Sequence, residues 1–332
     1  MKVFIVGDYL TGTGPANVTE KYIEYGGKNV IYQSFKSKPL RAVELFFKIP
    51  ACRVVLCSGY SKQNILAIKL GHFFKKKCAY LMHGCVEHEN NINGVPDPAM
   101  SKVERETLRL CDRIYAVSDR FKEWLIENYP DHKEKIFAMP NGIDLYPIKN
   151  PVDNKERDYA SILSVGGGMP RKRIVNICKA IERLKREEEF KDLTLKVIGA
   201  EGLDSQAINS YRFVKNYGLV DKNRAEEIMR SSGLFIQNSC FETFGLAPLE
   251  ALKNGCDILL SKEVGAIGVF KDFSEKYTIN DCEDIDELSL KIKNMIKGKE
   301  HNNELLLSEI NKGSLSWKSR SRELLKSLSE LT

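Results

Sequence analysis

Short apolar runs alternate with segments of helical length along almost the whole chain, and this alternation stops once and then restarts. Lys2–Gly7, Asn29–Tyr32, Arg53–Cys57, Cys78–Met82, Arg113–Val117 and Ile136–Met139 read as strands apolar on both faces. Between them lie helix-like stretches at Ala16–Tyr25, Asn64–Phe74, Val103–Leu110 and Phe121–Tyr129. Such alternation requires parallel strands with helices on both faces of the sheet. The aperiodic polar stretch Pro147–Arg157 reads as a linker. Beyond it the pattern resumes with strands at Asp158–Val165, Leu193–Ile198, Tyr211–Val214, Gly233–Gln237 and Asp257–Leu260. Helices are expected at Lys172–Glu188, Lys222–Arg230, Leu246–Asn254, Ile285–Ile296 and Ser316–Ser329. The expectation is an α/β chain of two tandem doubly wound domains, residues 1–150 and 151–313, with a cleft between the carboxyl ends of the two sheets. A length of 332 residues suits two such domains.

Composition removes several classes. No apolar run approaches the roughly 18 residues a membrane span needs, and the brief apolar start lacks a signal-peptide cleavage site. Nine cysteines with no CxxC pair form neither a disulfide framework nor a zinc site. Cys52, Cys57, Cys78 and Cys111 sit among apolar neighbours and read as reduced core positions, so a cytoplasmic location is expected. The net charge of +6 is uneven: residues 1–150 carry 22 basic against 16 acidic side chains, whereas the remainder is neutral. The first 86 residues alone hold 13 basic and 4 acidic side chains.

The window from Ser239 to Ala251 carries the most chemical information. It follows a strand and opens a helix, with Pro248 suited to the first turn, where its missing N–H costs nothing. The amides of Phe244, Gly245 and Leu246, following Thr243, then stand near the helix start and are able to donate to an anion. Gly245 permits close approach of a ligand to the backbone. Glu242 lies in the loop and Glu250 in the helix, its side chain leaning back toward the same end. Carboxylates so placed suit sugar or ribose hydroxyls. A capping box between Ser239 and Glu242 would instead put Pro248 deep in the helix, where it clashes.

This window resembles the glutamate–seven residues–glutamate signature of the family 4 glycosyltransferases, which have the two-domain GT-B fold. Asn141-Gly142-Ile143-Asp144 resembles that family's turn before the linker, Cys111–Ser118 the strand and serine preceding it, and Leu234–Ser239 the strand entering the glutamate motif. The ordered series is the specific signal. The resemblance implies a nucleotide-sugar donor site in residues 151–313, an acceptor side in residues 1–150, and a last helix from about Ser314 that joins the first domain.

Gly166-Gly167-Gly168-Met169-Pro170-Arg171-Lys172-Arg173 places a glycine turn before a basic cluster at an expected helix start. Cations are disfavoured there, so an anion should offset them. By resemblance, Lys172 is the lysine that grips the donor diphosphate. The family's arginine position falls on Gly167, and Arg171 is assigned the second charge from a shifted place. Arg173 is read as solvated or as facing the acceptor. Gly166, Gly167 and, in the first domain, Gly14 are assigned to donor binding. His83, at a strand's carboxyl end, resembles the histidine lining the donor sugar, while His88 with Glu87 and Glu89 reads as a solvated loop. Gly12–Asn17 falls one glycine short of a dinucleotide fingerprint and lacks the acidic ribose partner, so no nicotinamide or flavin cofactor is expected. Asp284-Ile285-Asp286 reads as helix-start acids rather than a metal site, and metal-independent chemistry is expected.

Together these features imply a retaining transferase moving a hexosyl or N-acetylhexosaminyl group from a nucleoside-diphosphate sugar, UDP-sugars foremost, to a saccharide or lipid-linked saccharide hydroxyl. Its role would lie in cell-surface polysaccharide or glycoconjugate synthesis. A catalytically silent GT-B subunit and a nucleotide-sugar 2-epimerase are the alternatives. No aromatic-interleaved basic motif supports nucleic-acid binding. Lys36, Lys38, Arg41 and Lys48 around Leu40, Leu45, Phe46 and Phe47, extended by Phe73–Lys77, suggest a basic-apolar face for peripheral contact with an anionic membrane, at its inner surface.

Overall fold

A computed structural model describes the chain except residue 36, residues 146–156 and 299–300, and the side chains of Lys38 and Lys312. All but the last residue of the expected linker Pro147–Arg157 thus falls outside the described residues. Two compact units result: residues 1–91, 96–144 and 313–332 form unit 1, and residues 92–95 with 145–312 form unit 2. In chain order, unit 1 contains β1 (Val3–Gly7), α1 (Gly14–Gly26), β2 (Val30–Tyr32), α2 (Lys38–Lys48), β3 (Val54–Ser58), α3 (Lys62–Phe73), β4 (Lys77–Met82), α4 (Val86–Ile92), α5 (Pro98–Leu110), β5 (Arg113–Ala116), α6 (Asp119–Asn128) and β6 (Ile136–Ala138). Unit 2 follows with β7 (Ser161–Val165), α7 (Ile174–Leu184), β8 (Thr194–Ile198), α8 (Ser205–Asn209), β9 (Val214–Asn216), α9 (Lys222–Arg230), β10 (Leu234–Gln237), α10 (Ala247–Lys253), β11 (Asp257–Ser261), β12 (Thr278–Ile279), α11 (Ile285–Lys297) and α12 (Asn303–Glu309). The short α13 (Lys312–Leu315) leads into α14 (Trp317–Ser329), which belongs to unit 1.

Each unit is built on a six-stranded, wholly parallel sheet, ordered β2-β1-β3-β4-β5-β6 in unit 1 and β12-β11-β10-β7-β8-β9 in unit 2. β1, β3 and β11 are buried at every position, which explains their apolar sequences, broken only at the strand ends by Ser58 in β3 and by Asp257 and Ser261 in β11. Cys52, Cys57, Cys78 and Cys111 are free and buried in that core. Helix starts follow capping chemistry: Ser118 accepts from Phe121 N–H at 3.0 Å, and Asp284 from Asp286 and Glu287 N–H at 2.8 and 2.9 Å. Asp284 therefore serves as the N-cap of α11, as its sequence position implied.

α14 lies on α1 within unit 1. Trp317 meets Tyr22 edge-on at 5.7 Å and donates its backbone N–H to Asp144 at 3.2 Å. Further along, Arg113 donates to the Ser327 carbonyl at 2.9 Å.

Several expectations need correction. The helix expected from Lys172 starts at Ile174 and stops at Leu184, because Pro170–Lys172 forms a single 3₁₀ turn and Arg173 adopts a left-handed φ of 51°. The strand expected at Tyr211–Val214 is displaced to β9. Helices α2 and α4 lacked a recognised pattern, and His88 lies on α4 rather than in a loop, with its ring 4.8 Å from that of Trp124. The expected basic-apolar face also changes. Leu45 is buried in the core, and Lys48 is bound to Glu44 at 2.5 Å. Arg41 donates to the Phe35 carbonyl at 2.8 Å. Lys36 and the Lys38 side chain lie outside the described residues.

Candidate active site

In unit 2 the chain starts at β7, builds outward through β8 and β9, then returns to lay β10 on the other side of β7. The loops leaving β7 and β10 therefore diverge from adjacent strands, at the topological switch point where parallel sheets bind ligands. The β7 loop carries Gly166–Lys172 and the β10 loop carries Glu242.

Their side chains converge on one carboxylate oxygen. Glu242 Oε2 accepts from the Lys172 ammonium in a short contact, from Arg171 Nη1 at 3.4 Å and from Gln237 Nε2 at 2.8 Å. Burial by itself would raise the Glu242 carboxyl, but the Lys172 and Arg171 charges outweigh it and hold the group below the usual carboxylate range. All three donors use Oε2, so Oε1 has no donor among the described residues. Arg171 also ties the loops together, giving Nη1–H to the Phe241 carbonyl at 3.1 Å and accepting Cys240 N–H at 2.9 Å.

Arg173, read as solvated or acceptor-facing, instead meets Glu283 in a short ion pair, and Asn176 holds the other Glu283 oxygen at 2.9 Å. The cationic cost at the start of α7 is thus offset by Glu242 and Glu283, two carboxylates of the protein itself.

The glycines have a packing role. Gly167 has φ 57°, and a Cβ there would lie 2.0 Å from the Ala200 carbonyl oxygen. Gly166, at φ 149°, would drive a Cβ to 2.5 Å from Lys172 Cγ, so the lysine stem lies directly over it. The N–H groups of Gly166 and Gly167 donate to the Ile198 carbonyl at 2.7 and 3.0 Å, and that of Gly168 donates to Ala200 at 3.0 Å.

α10 begins at Ala247 with Pro248 in its first turn, as the sequence required. Thr243 and Phe244 are buried before it, and Gly245 takes φ 84°. The N–H groups of Phe244, Gly245 and Leu246 donate to no acceptor among the described residues. Glu250 is half-buried, and burial raises its carboxyl, with Lys222 pulling the other way.

His83 and Gly14 belong to unit 1. His83 follows β4, and its Nε2 lies 2.9 Å from Ser58 Oγ, which in turn lies 2.8 Å from Thr19 Oγ1. Thr19 donates to the Pro15 carbonyl at 2.9 Å. The carbonyl can only accept, so the chain of donors runs His83 Nε2–H to Ser58 to Thr19 to Pro15. Nδ1 is then the acceptor nitrogen. Burial pushes the ring down to about 4, so it is neutral near pH 7. Gly14 opens α1 after the Thr13 cap, and a Cβ there would meet nothing within 4 Å.

Sequence reading missed Gln237, Glu283 and the Ser58–Thr19 relay. Gln237 and Ser58 shared one available signal, a polar residue ending an otherwise apolar strand at the carboxyl edge. Elsewhere in unit 1, His72, Cys78 and Asp112 bring three ligand-type atoms within 4.8 Å of one another. Asp112 is already engaged by Lys77 at 3.1 Å and by Cys78 N–H at 2.8 Å, and burial keeps the Cys78 thiol protonated.

Residues 54–146 match the model of Glycosyltransferase Family 4, and residues 148–306 match that of the group 1 glycosyl transferases. A probable sucrose-phosphate synthase from Thermosipho melanesiensis is 24% identical over 178 residues, covering 51% of this chain and 42% of that protein. The chain thus spans well under half of that curated relative. The structure of HepE from Anabaena in complex with UDP and glucose superposes with a TM-score of 0.71 at 12% identity, over 99% of this chain and 100% of its own. Sucrose-phosphate synthase from Thermosynechococcus elongatus superposes at 0.73 with 14% identity, over 100% and 99% of the two chains. Two parallel sheets, the ordered motifs and both family models agree: the chain belongs to the family 4 glycosyltransferases of the GT-B fold.

Proposed function

We propose that the protein is a retaining glycosyltransferase that moves a hexosyl or N-acetylhexosaminyl group from a nucleoside-diphosphate sugar to a hydroxyl of a saccharide or lipid-linked saccharide, in cell-surface polysaccharide or glycoconjugate synthesis. The observation that carries this reading is the convergence of Lys172 and Arg171 on Glu242 at the β7/β10 switch point. A UDP-sugar is the first donor to test, since the HepE structure holds UDP and glucose.

Lys172 and Arg171 stabilise the charge that builds on the departing diphosphate, helped by the amides of Phe244, Gly245 and Leu246. Glu242 keeps both cations in place and offers Oε1 to a donor-sugar hydroxyl. Thr243 shapes the loop, and Glu250 accepts from the ribose hydroxyls. Gly166 and Gly167 set the path of the β7 loop so that the Lys172 stem lies flat against it. In unit 1, His83 offers Nδ1 to a sugar hydroxyl and Gly14 leaves room for a ligand beside the α1 start. Cationic side chains perform the electrostatic work, so no resident cofactor or metal is required in this reading, and chelation by EDTA should leave the rate unchanged. The acceptor is met from the cytoplasmic side.

The test is nucleotide release from a panel of UDP-, GDP- and ADP-sugars, with and without saccharide and lipid-linked acceptors. Product anomers are read by NMR. Acceptor-dependent release with a retained anomer is expected, and Glu250→Ala should raise KM for the donor several-fold more than it lowers kcat. Nucleotide binding without release from any donor would favour a silent subunit. An epimerised nucleotide sugar formed without acceptor would favour an epimerase.

A further inference from the structure

Unit 1 has a second distinctive surface at the amino edge of its sheet, opposite the strand ends that carry His83 and the Gly14 loop. β1, β3 and β4 begin side by side, with Val3 paired to Val54 and Val54 to Lys77. Immediately before those starts stand Lys2, Arg53, Lys75 and Lys76, and Arg53 N–H bonds the Lys2 carbonyl at 2.9 Å. Helices α2 and α3 run back against the strand direction and end at this edge, just before β3 and β4. Their last turns hold Phe46, Phe47 and Phe73, with Phe47 76% and Phe73 77% exposed. Phe74 packs edge-on against Phe73 at 5.1 Å. Along α2, Leu40 and Val43 continue the exposed apolar stripe, while Leu45 and Ile49 fill the core.

The charge around these rings is one-sided. Residues 25–86 contain eleven Lys and Arg side chains and a single carboxylate, Glu44. Glu44 is buried and engaged by Lys48 and by the Ser34 and Phe35 N–H groups. Asp112, at the start of β5, pairs with Lys77. Lys2, Arg53, Lys75 and Lys76 have no ion pair among the described residues. Single exposed apolar residues are ordinary, but phenyl rings clustered on one edge with unpaired cations mark an interaction site. No described helix is long and apolar enough to cross a membrane, so this edge would engage one from its surface.

We propose that this edge docks on an anionic lipid bilayer. Phe46, Phe47 and Phe73 enter the boundary between headgroups and acyl chains, and Lys2, Arg53, Lys75 and Lys76 meet lipid phosphates. Charge complementarity selects this partner, and vesicle binding tests it without donor, acceptor or turnover. The full chain is sedimented with vesicles of phosphatidylcholine alone or mixed with phosphatidylglycerol, at low and high salt. Partition into the mixed vesicles is expected, weakened by salt and poor on phosphatidylcholine alone. The pair Lys75→Glu with Lys76→Glu, and separately Phe47→Ser with Phe73→Ser, should each weaken it about tenfold or more, with thermal unfolding unchanged. No partition into phosphatidylglycerol vesicles, or partition indifferent to both pairs, would overturn the proposal. So would a concentration-dependent dimer in light scattering that both pairs disperse, which would assign the edge to a second copy of the chain.

Discussion

Lys172→Ala tests the candidate site most directly, because its effects on stability and on turnover should differ in size. The ammonium shares Glu242 Oε2 with Arg171 at 3.4 Å and Gln237 at 2.8 Å. Stranding a buried charge costs roughly 3–5 kcal/mol, but here two of three donors remain on the carboxylate. The expected loss of stability is therefore that of one charged hydrogen bond, about 1.5–3 kcal/mol. Under the proposed function turnover should suffer more, since the lysine would act on charge that develops only as the diphosphate leaves. Loss of one such preorganised group costs roughly 100- to 1000-fold in kcat, or about 2.7–4 kcal/mol. Initial rates of nucleotide release at saturating donor read the second quantity, and urea unfolding reads the first. Glu242→Gln is the necessary companion. It keeps the side-chain shape and removes the charge that neutralises Lys172, so UDP should bind at least as tightly while turnover falls. A folded Lys172→Ala protein whose kcat stays within about threefold of wild type would refute the electrostatic role.

Gly166→Ala should lower kcat by about tenfold or more without removing any charge, because the new Cβ displaces the Lys172 stem from 2.5 Å; unchanged kinetics would show that the stem's position is immaterial. Trp317→Ala should destabilise the protein by about 3–5 kcal/mol, measured by urea unfolding, since the indole packs on Tyr22 and leaves no room for a Cβ at Gly142. Burial holds His83 down to about 4 and Glu104 up to about 7, so the stability due to His83 is lost as pH falls through 4 and that due to Glu104 is lost as pH rises through 7. Relative to wild type, His83→Asn should therefore gain up to about 3 kcal/mol between pH 7 and 4, and Glu104→Gln a similar amount between pH 4.5 and 8; stability curves parallel to wild type would refute either assignment.

Much of the fold was legible because parallel strands buried on both faces must be largely apolar, and β1, β3, β4 and β10 are, apart from the end residues Ser58, Lys77 and Gln237. The start of α10 was legible for a sharper reason: Pro248 tolerates only the first turn. What stayed hidden has equally definite causes. The 3₁₀ turn and the left-handed Arg173 delay α7 by two residues, and nothing in a run of three cations marks that break. Glu283 reaches Arg173 across 110 positions, so no local pattern pairs them. Helix α2 reverses the usual arrangement by turning Leu40, Val43 and Phe47 outward and keeping Glu44 inside. Periodicity alone gathers Leu45 with the exposed residues, and only the bonds of Glu44 to Lys48, Ser34 and Phe35 show which face is the inner one.

The glycine turn after β7 shows how a familiar pattern can serve a different physical purpose. Three successive glycines before a basic cluster suggest a nest of amides closing around a phosphate. Here the N–H groups of Gly166, Gly167 and Gly168 are already committed to the carbonyls of Ile198 and Ala200, across a contact so close that Gly167 and Gly199 both exclude a Cβ. The turn is therefore a packing device that brings the β7 loop against the loop after β8 and lays Lys172 over Gly166. An anion at this site must be held by side-chain charge and by the amides before α10. One of those two charges is already offset by Glu242, so under the proposed function a diphosphate would have to compete with a carboxylate rather than fill an empty cationic pocket. Such competition favours a ligand that offers Glu242 hydroxyl donors while it draws away Lys172 and Arg171, and a sugar joined to a diphosphate does both.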